Sequence, residues 1–144
     1  MKKAFTLLEM MVVLAIIAVI SAIAIPNLMR ISVQKNSSKA KAELRALQVA
    51  VENYYLYHSS VYPAALSDLV TAVPSVVKAI GTDPFSKTQS VYKYNVSPNK
   101  KYYVIYSIGP SANGSAVVTD DGVLTETNGA SCIYVSDIQE DSTP

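Results

Sequence analysis

Tryptophan is absent from the 144 residues, and cysteine and histidine occur once each. One cysteine, Cys132, excludes an intrachain disulfide. In its apolar setting, Cys132-Ile133-Tyr134-Val135, it reads as a small buried hydrophobe. His58 has no second histidine, cysteine or carboxylate cluster beside it, so it makes a poor metal ligand or catalytic base. There is no glycine-rich phosphate loop, no Ser-His-Asp order and no paired acidic motif, so nothing in the chain argues for an enzyme. No basic stripe with interleaved aromatics exists, and nucleic acid is not an expected partner. The length allows one ordinary domain, not two. Lysine and arginine are missing from residues 107–144, where Asp120, Asp121, Glu126, Asp137, Glu140 and Asp141 give a net charge of −6. Residues 27–58 lean the other way: Arg30, Lys35, Lys39, Lys41 and Arg45 against Glu43 and Glu52 leave +3. A basic stem and an acidic end attract each other between subunits, or they are two solvated faces.

What is present in excess is apolar sequence, concentrated at the start. Residues 5–25 form a run of 21 broken only by Thr6, Glu9 and Ser21. As a helix this is roughly 30 Å, the thickness of a hydrocarbon core. The tag Met1-Lys2-Lys3-Ala4 precedes it, and the positive-inside rule puts those lysines on the cytoplasmic side and the rest of the chain beyond the membrane. A secretory signal has its small-residue cleavage site after the apolar core. Here the small residue next to the tag is Ala4, before the core, so a cut there removes the charges and keeps the apolar segment. Glu9 is the anomaly. A carboxylate inside such a run is costly and points to a function and to a partner.

Pro26 removes one helical hydrogen bond and is expected to bend or loosen the helix. Beyond it the pattern becomes amphipathic: Ala40, Leu44, Leu47, Val51 and Tyr54 recur at spacings of four, three, four and three. No glycine or proline interrupts residues 27–61. The spacing predicts one helix over about residues 5–57, roughly 80 Å long. The remainder reads as short elements. Tyr62-Pro63 ends the helix, a short helix covers 64–70, and 74–80 makes a second turn. Gly81-Thr82-Asp83-Pro84 is turn chemistry, 91–96 a strand, Ser97-Pro98-Asn99-Lys100 a hairpin loop and 102–107 the next strand. Residues 108–121 read as a loop, and short strands near 123–127 and 132–135 complete one small antiparallel sheet. Residues 136–144 are polar, acidic and expected to fray. The ten tyrosines read as cross-strand and helix-on-sheet packing. The expected class is α+β: a long N-terminal helix packed by its C-terminal half on a small antiparallel head. It divides into a leader (1–4), an apolar helix (5–26), an amphipathic half-helix (27–58) and a globular head (59–144).

Lys2-Lys3-Ala4 followed by Phe5-Thr6-Leu7-Leu8-Glu9 resembles the leader and mature N-terminus of type IV pilins and pseudopilins, and Pro26 stands where that family has its helix-kinking proline. The resemblance implies the pilin fold. It also implies cleavage after Ala4 by a prepilin peptidase, N-methylation of Phe5 by the same enzyme, and extraction from the membrane into a helical filament. Glu9 of one subunit then meets the Phe5 amine of its neighbour, which fixes axial register. Two positions depart from the family: Ala4 replaces the usual glycine before the cut, and Ala18 stands where many members have a glycine. Local unwinding of the helix therefore rests on Pro26. Further on, Tyr62-Pro63, Leu66, Leu69, Asp83-Pro84-Phe85, Tyr92, Tyr94 and Tyr106-Ser107-Ile108-Gly109 resemble the major pseudopilin of type II secretion systems. That family carries a calcium-binding loop. Asn113, Asp120 and Asp121 offer side chains for it, the Ile108 carbonyl a fourth group, and Ser111 stands about where the family has an aspartate. The other reading of this stretch is an acidic solvated turn. The implied function is a homopolymeric subunit of a periplasmic pseudopilus. It would work with an inner-membrane assembly platform and minor pseudopilins or pilins, and be held in the inner membrane by one pass before assembly. The alternatives are a type IV pilin of a surface pilus, for adhesion or motility, and a membrane-tethered binding module that never polymerises.

Overall fold

The computed structural model describes residues 6–127 and 132–138. Helix α1, Leu7–Tyr57, has 51 residues. Thr6 starts it: its hydroxyl oxygen accepts the Glu9 N–H at 3.2 Å, satisfying one of the backbone donors that a helix leaves open at its N-terminus. Pro26 lies inside the helix and has no N–H to offer the Ala22 carbonyl, yet the chain stays helical on both sides. The helix ends where the backbone turns left-handed. Ser60 N–H reaches back to the Tyr55 carbonyl at 3.1 Å, with Ser59 in the left-handed region at φ 55°.

The chain divides into two compact units, the first ending at Lys35 and the second beginning at Asn36. Burial follows the same division. Helix residues 27–35 are exposed, and the face that packs on the rest of the second unit starts at Asn36, later along the helix than the change of sequence character at Pro26.

In the second unit, α2 (Asp68–Thr71) is a single turn, shorter than the expected 64–70. The Asp68 carboxylate accepts the Ala64 and Ala65 N–H groups at 3.0 and 3.1 Å and shapes the turn before it. Residues 74–80 form no helical turn; Val76 and Val77 N–H groups instead bond to the Leu69 carbonyl. Among the described residues five strands follow: β1 (Lys93–Val96), β2 (Tyr103–Ser107), β3 (Ser115–Val118), β4 (Leu124–Thr127) and β5 (Ile133–Ser136). Strand β3 corrects the expectation of an unbroken loop over 108–121, and the expected single sheet is two. One is three-stranded in the order β1-β2-β5, the other the β3-β4 hairpin, and all pairings are antiparallel. β5 thus skips its sequence neighbour β4 and pairs with β2.

Strand β2 is buried on both faces, which is why it reads as a continuous apolar run. Tyr103 and Ile105 join the cluster on the helix side, with Ala40, Leu44, Leu47, Ala50, Val51, Leu66 and Leu69. Val104 joins Ala116, Val118, Cys132 and Tyr134 on the hairpin side. The stripe read from helical spacing is the helix-side core, with Ala50 added and Tyr54 half-buried at its end. Polar ties fasten α1 to the head. Tyr92 OH donates to Glu43 Oε2 at 2.6 Å and Gln48 Nε2 donates to the Ser136 carbonyl at 3.3 Å. The rings of Tyr55, Tyr62 and Tyr103 meet in sequence at 4.6 Å for each step. Burial, then the hydrogen bond to Glu43, pushes the Tyr92 hydroxyl well above the usual phenol range. Burial, followed by the Asp137 charge, raises Tyr62 to about 12.

Candidate functional site

Glu9 occupies the first turn of α1, three residues after the capping Thr6. Thr6-Leu7-Leu8-Glu9 has the form of a capping box, a signal that reading Glu9 only as a charge in lipid overlooks. The unpaired N–H groups and the dipole at a helix N-terminus favour an anion there. Glu9 is exposed on the helix surface, so its carboxylate is presented outward. Ala4 and Phe5, the expected cleavage and methylation positions, lie outside the described residues.

The surroundings of Glu9 define what the site must meet. All seventeen large apolar side chains between positions 7 and 33 are exposed, Leu7 at 78% and Met29 at 66% among them. An 18-residue window of α1 has a mean hydropathy of 2.7, and among the described residues α1 is the one helix long and apolar enough to cross a membrane. Each such side chain left in water forgoes about 1.5–3 kcal/mol of burial. The total is on the order of tens of kcal/mol, more than the stability of a small domain. The surface is therefore one that lipid or other helices cover. Pro26 sits on it and, with Ile23, Asn27 and Arg30, lines a shallow notch.

The residues expected to hold calcium are not brought together. Ile108, Ser111 and Asn113 belong to the β2–β3 loop, where the Ile108 carbonyl already accepts the Gly114 N–H at 3.0 Å. Asp120 and Asp121 lie in the β3–β4 turn, at the other end of β3. Asp120 Oδ1 accepts the Asn99 N–H at 2.8 Å, and its carbonyl accepts from Asn99 Nδ2 at 3.2 Å. Asn99 stands just before β2 and Ile108 just after it, so the five residues of that strand separate the two groups by about 17 Å. Calcium ligands must all lie 2.3–2.6 Å from one ion. The set does not fit the ion, and no group of three or more His, Cys, Asp or Glu residues suited to a metal occurs among the described residues.

The carboxylate that does organise this region is Asp83, which the sequence marks only as part of an Asp-Pro turn. It is buried. Its Oδ1 accepts the Phe85 N–H at 2.9 Å and the Ser107 hydroxyl at 2.8 Å, and its Oδ2 accepts the Ile108 N–H at 2.9 Å. Cys132 is buried too; burial, then the Glu126 charge, raises its thiol to about 12, so it stays protonated and unreactive.

Comparison with known proteins places this helix and head. Residues 1–25 match the family model described as a prokaryotic N-terminal methylation motif. The type II secretion system core protein G of Klebsiella pneumoniae is 31% identical over 125 residues, covering 76% of this chain and 85% of that protein. The core protein G of Escherichia coli is 37% identical over 73 residues, 49% of this chain and 50% of the relative. The type IV major pilin protein PilA of Myxococcus xanthus is 42% identical over 53 residues, 37% of this chain and 24% of the relative. The chain thus spans about a quarter of that pilin and half of the Escherichia coli protein. No solved structure matches it. These relatives carry the names of a type IV pilin and of a type II secretion core protein. The chain's capped apolar helix, its α+β head and its alignment over most of a core protein G together show that it belongs to the type IV pilin-like family, alongside the pseudopilins of type II secretion.

Proposed function

We propose that this chain is the major subunit of a type II secretion pseudopilus, a homopolymer assembled from a membrane-held precursor. The observation that carries the reading is the exposed apolar helix with one carboxylate in its capped first turn. Cleavage after Ala4 by a prepilin peptidase frees the Phe5 amine, which is then N-methylated. In the array, Glu9 meets that amine on the neighbouring subunit. Desolvating both charges offsets most of their attraction, so the pair contributes little net stability and acts on register instead. The inner membrane holds the helix until a neighbour replaces lipid, with the head outside the cytoplasm. An inner-membrane platform and minor pseudopilins start the filament.

The secretion role is supported by the alignments that run over most of the core protein G sequences of Klebsiella pneumoniae and Aeromonas hydrophila, 85% and 90% of their lengths. A second reading, a surface pilus, is favoured by the pilin and fimbrial relatives, at 42% and 36% identity over shorter stretches. Mass spectrometry of the mature N-terminus tests the shared chemistry: the expected terminus is methylated Phe5, and an intact Met1 overturns it. Deleting the gene separates the two roles. Loss of protein export with surface pili intact supports the pseudopilus, and loss of surface pili with export intact supports the pilin.

A further inference from the structure

The β2–β3 loop is closed by the protein's own groups. At its base, Asp83 takes hydrogen bonds from the Ser107 hydroxyl at 2.8 Å and the Ile108 N–H at 2.9 Å, while Ser107 Oγ accepts the Gly109 N–H at 3.2 Å. Across the loop, the Ile108 carbonyl accepts Gly114 N–H at 3.0 Å and the Gly109 carbonyl accepts Ala112 N–H at 2.9 Å. Gly114 makes this closure possible, because a Cβ there would stand 2.9 Å from the Cys132 Cα. Asp83 is itself fixed from the other side. Its N–H donates to the Ser90 carbonyl at 3.0 Å, its carbonyl accepts Ser86 N–H at 3.0 Å, and its carboxylate turns back to Phe85 N–H. At 4% exposure the carboxylate is almost out of water, and its three donors replace the hydration it has lost.

We propose that Asp83 is an internal substitute for a loop-closing cation. It ties the segment from Asp83 to Ser90 to the end of β2, and the head folds and keeps its β2–β3 loop without calcium. The chemistry is the inverse of a metal site. There, several oxygens converge on one cation; here, donors from two segments converge on one anion. The oxygens that a cation would need are split between the two ends of β2, and the Ile108 carbonyl among them is already engaged. This concerns the head alone and holds for a pseudopilus or a pilus.

The test is thermal unfolding of the full chain in detergent micelles, in millimolar calcium and in chelator. The two midpoints are expected to agree within about 1 °C, because an ion that does not bind the folded state does not shift it. A midpoint several degrees higher in calcium, or stoichiometric calcium uptake at micromolar concentration, overturns the proposal. Asp83→Asn sets its amide NH2 against either the Ile108 N–H or the Phe85 and Ser107 donors, depending on its orientation, and is expected to lower the midpoint by about 10 °C in both buffers. An unchanged midpoint overturns the proposal. Ser107→Ala, which removes one of the three bonds and leaves the carboxylate, tests the same contact should Asp83→Asn not fold. It is expected to lower the midpoint by about 5 °C with or without calcium, and no drop, or a drop that calcium restores, overturns the proposal.

Discussion

At Glu9 a single carboxylate has to be reconciled with an apolar surface. The first turn of α1 eases that locally: Thr6 caps the helix and the helix end favours negative charge. Neither supplies a positive charge, which in the proposed array comes from the Phe5 amine of a neighbouring subunit. Glu9→Ala is expected to leave the protein inserted in the membrane while filament yield, counted by electron microscopy, falls at least about tenfold, the effect of losing roughly 1.4 kcal/mol of register preference. Wild-type filament yield from that variant would count against the role. Tyr103 poses the opposite problem. Its ring is buried against Tyr62 and Tyr94, but its hydroxyl finds no partner among the described residues. A buried donor left unpaired costs about 1–3 kcal/mol. Tyr103→Phe is therefore expected to keep the packing and raise stability by about 1 kcal/mol in thermal unfolding.

Helix α1 is legible at its start and through its length, and less so at its end. Thr6 and Glu9 form a local signal, and the stripe from Ala40 to Val51 follows from period alone. The stop is different, because it uses Ser59 and Ser60 at φ 55° and 57° where glycine is the easier residue. A non-glycine residue held there carries about 1–2 kcal/mol of strain, part of which glycine's greater freedom in the unfolded chain offsets. Ser59→Gly is expected to raise stability by about 0.5–1 kcal/mol, read as a higher melting midpoint with unchanged helix content. Strand β3 escaped the sequence reading because Gly109, Pro110, Asn113 and Gly114 punctuate the stretch just before it, and Ser-Ala-Val-Val is only four residues long. Its strand character comes from packing Ala116 and Val118 against Val104, a contact between distant parts of the chain.

For the whole molecule, the tyrosines between helix and sheet make stability depend on alkaline pH. Burial raises Tyr62 from its ordinary value of 10.0 to about 12 and pushes Tyr92, Tyr94 and Tyr103 higher still. Above pH 10 the unfolded chain ionises these phenols while the fold keeps them protonated. Their contribution is thus fully present below pH 10 and is lost as pH rises through about 12 for Tyr62 and beyond for the others. The expected outcome is a cooperative alkaline transition in which phenolate absorbance and loss of β-structure coincide. Full phenolate absorbance, from all ten tyrosines, reached near pH 10 with the fold intact would contradict it. Asp137 acts in the same direction, but in the acid range. Burial raises its carboxyl despite the Tyr103 N–H bond that lowers it, so its ionisation weakens the fold as pH rises from its ordinary value of 3.8.

By itself the sequence determined what depends on neighbours along the chain. The apolar run with its awkward carboxylate, the uninterrupted helix, the turns at Asp83-Pro84 and Ser97 to Lys100, and the positions of β1, β2, β4 and β5 all follow from periods of 3.6 or 2 and from residues with fixed backbone preferences. Only the tertiary structure decided which strands pair, that β5 passes over β4 to join β2, and that the head-packing face of α1 begins at Asn36. It also separated the expected calcium ligands and gave the β2–β3 loop to Asp83. The reason is that these outcomes rest on bonds between residues 21 to 88 positions apart, such as Asn99 to Asp120, Asp83 to Ile108, Tyr103 to Asp137 and Gln48 to Ser136. No local pattern encodes such distances; they appear once β2 is enclosed between the helix and the hairpin.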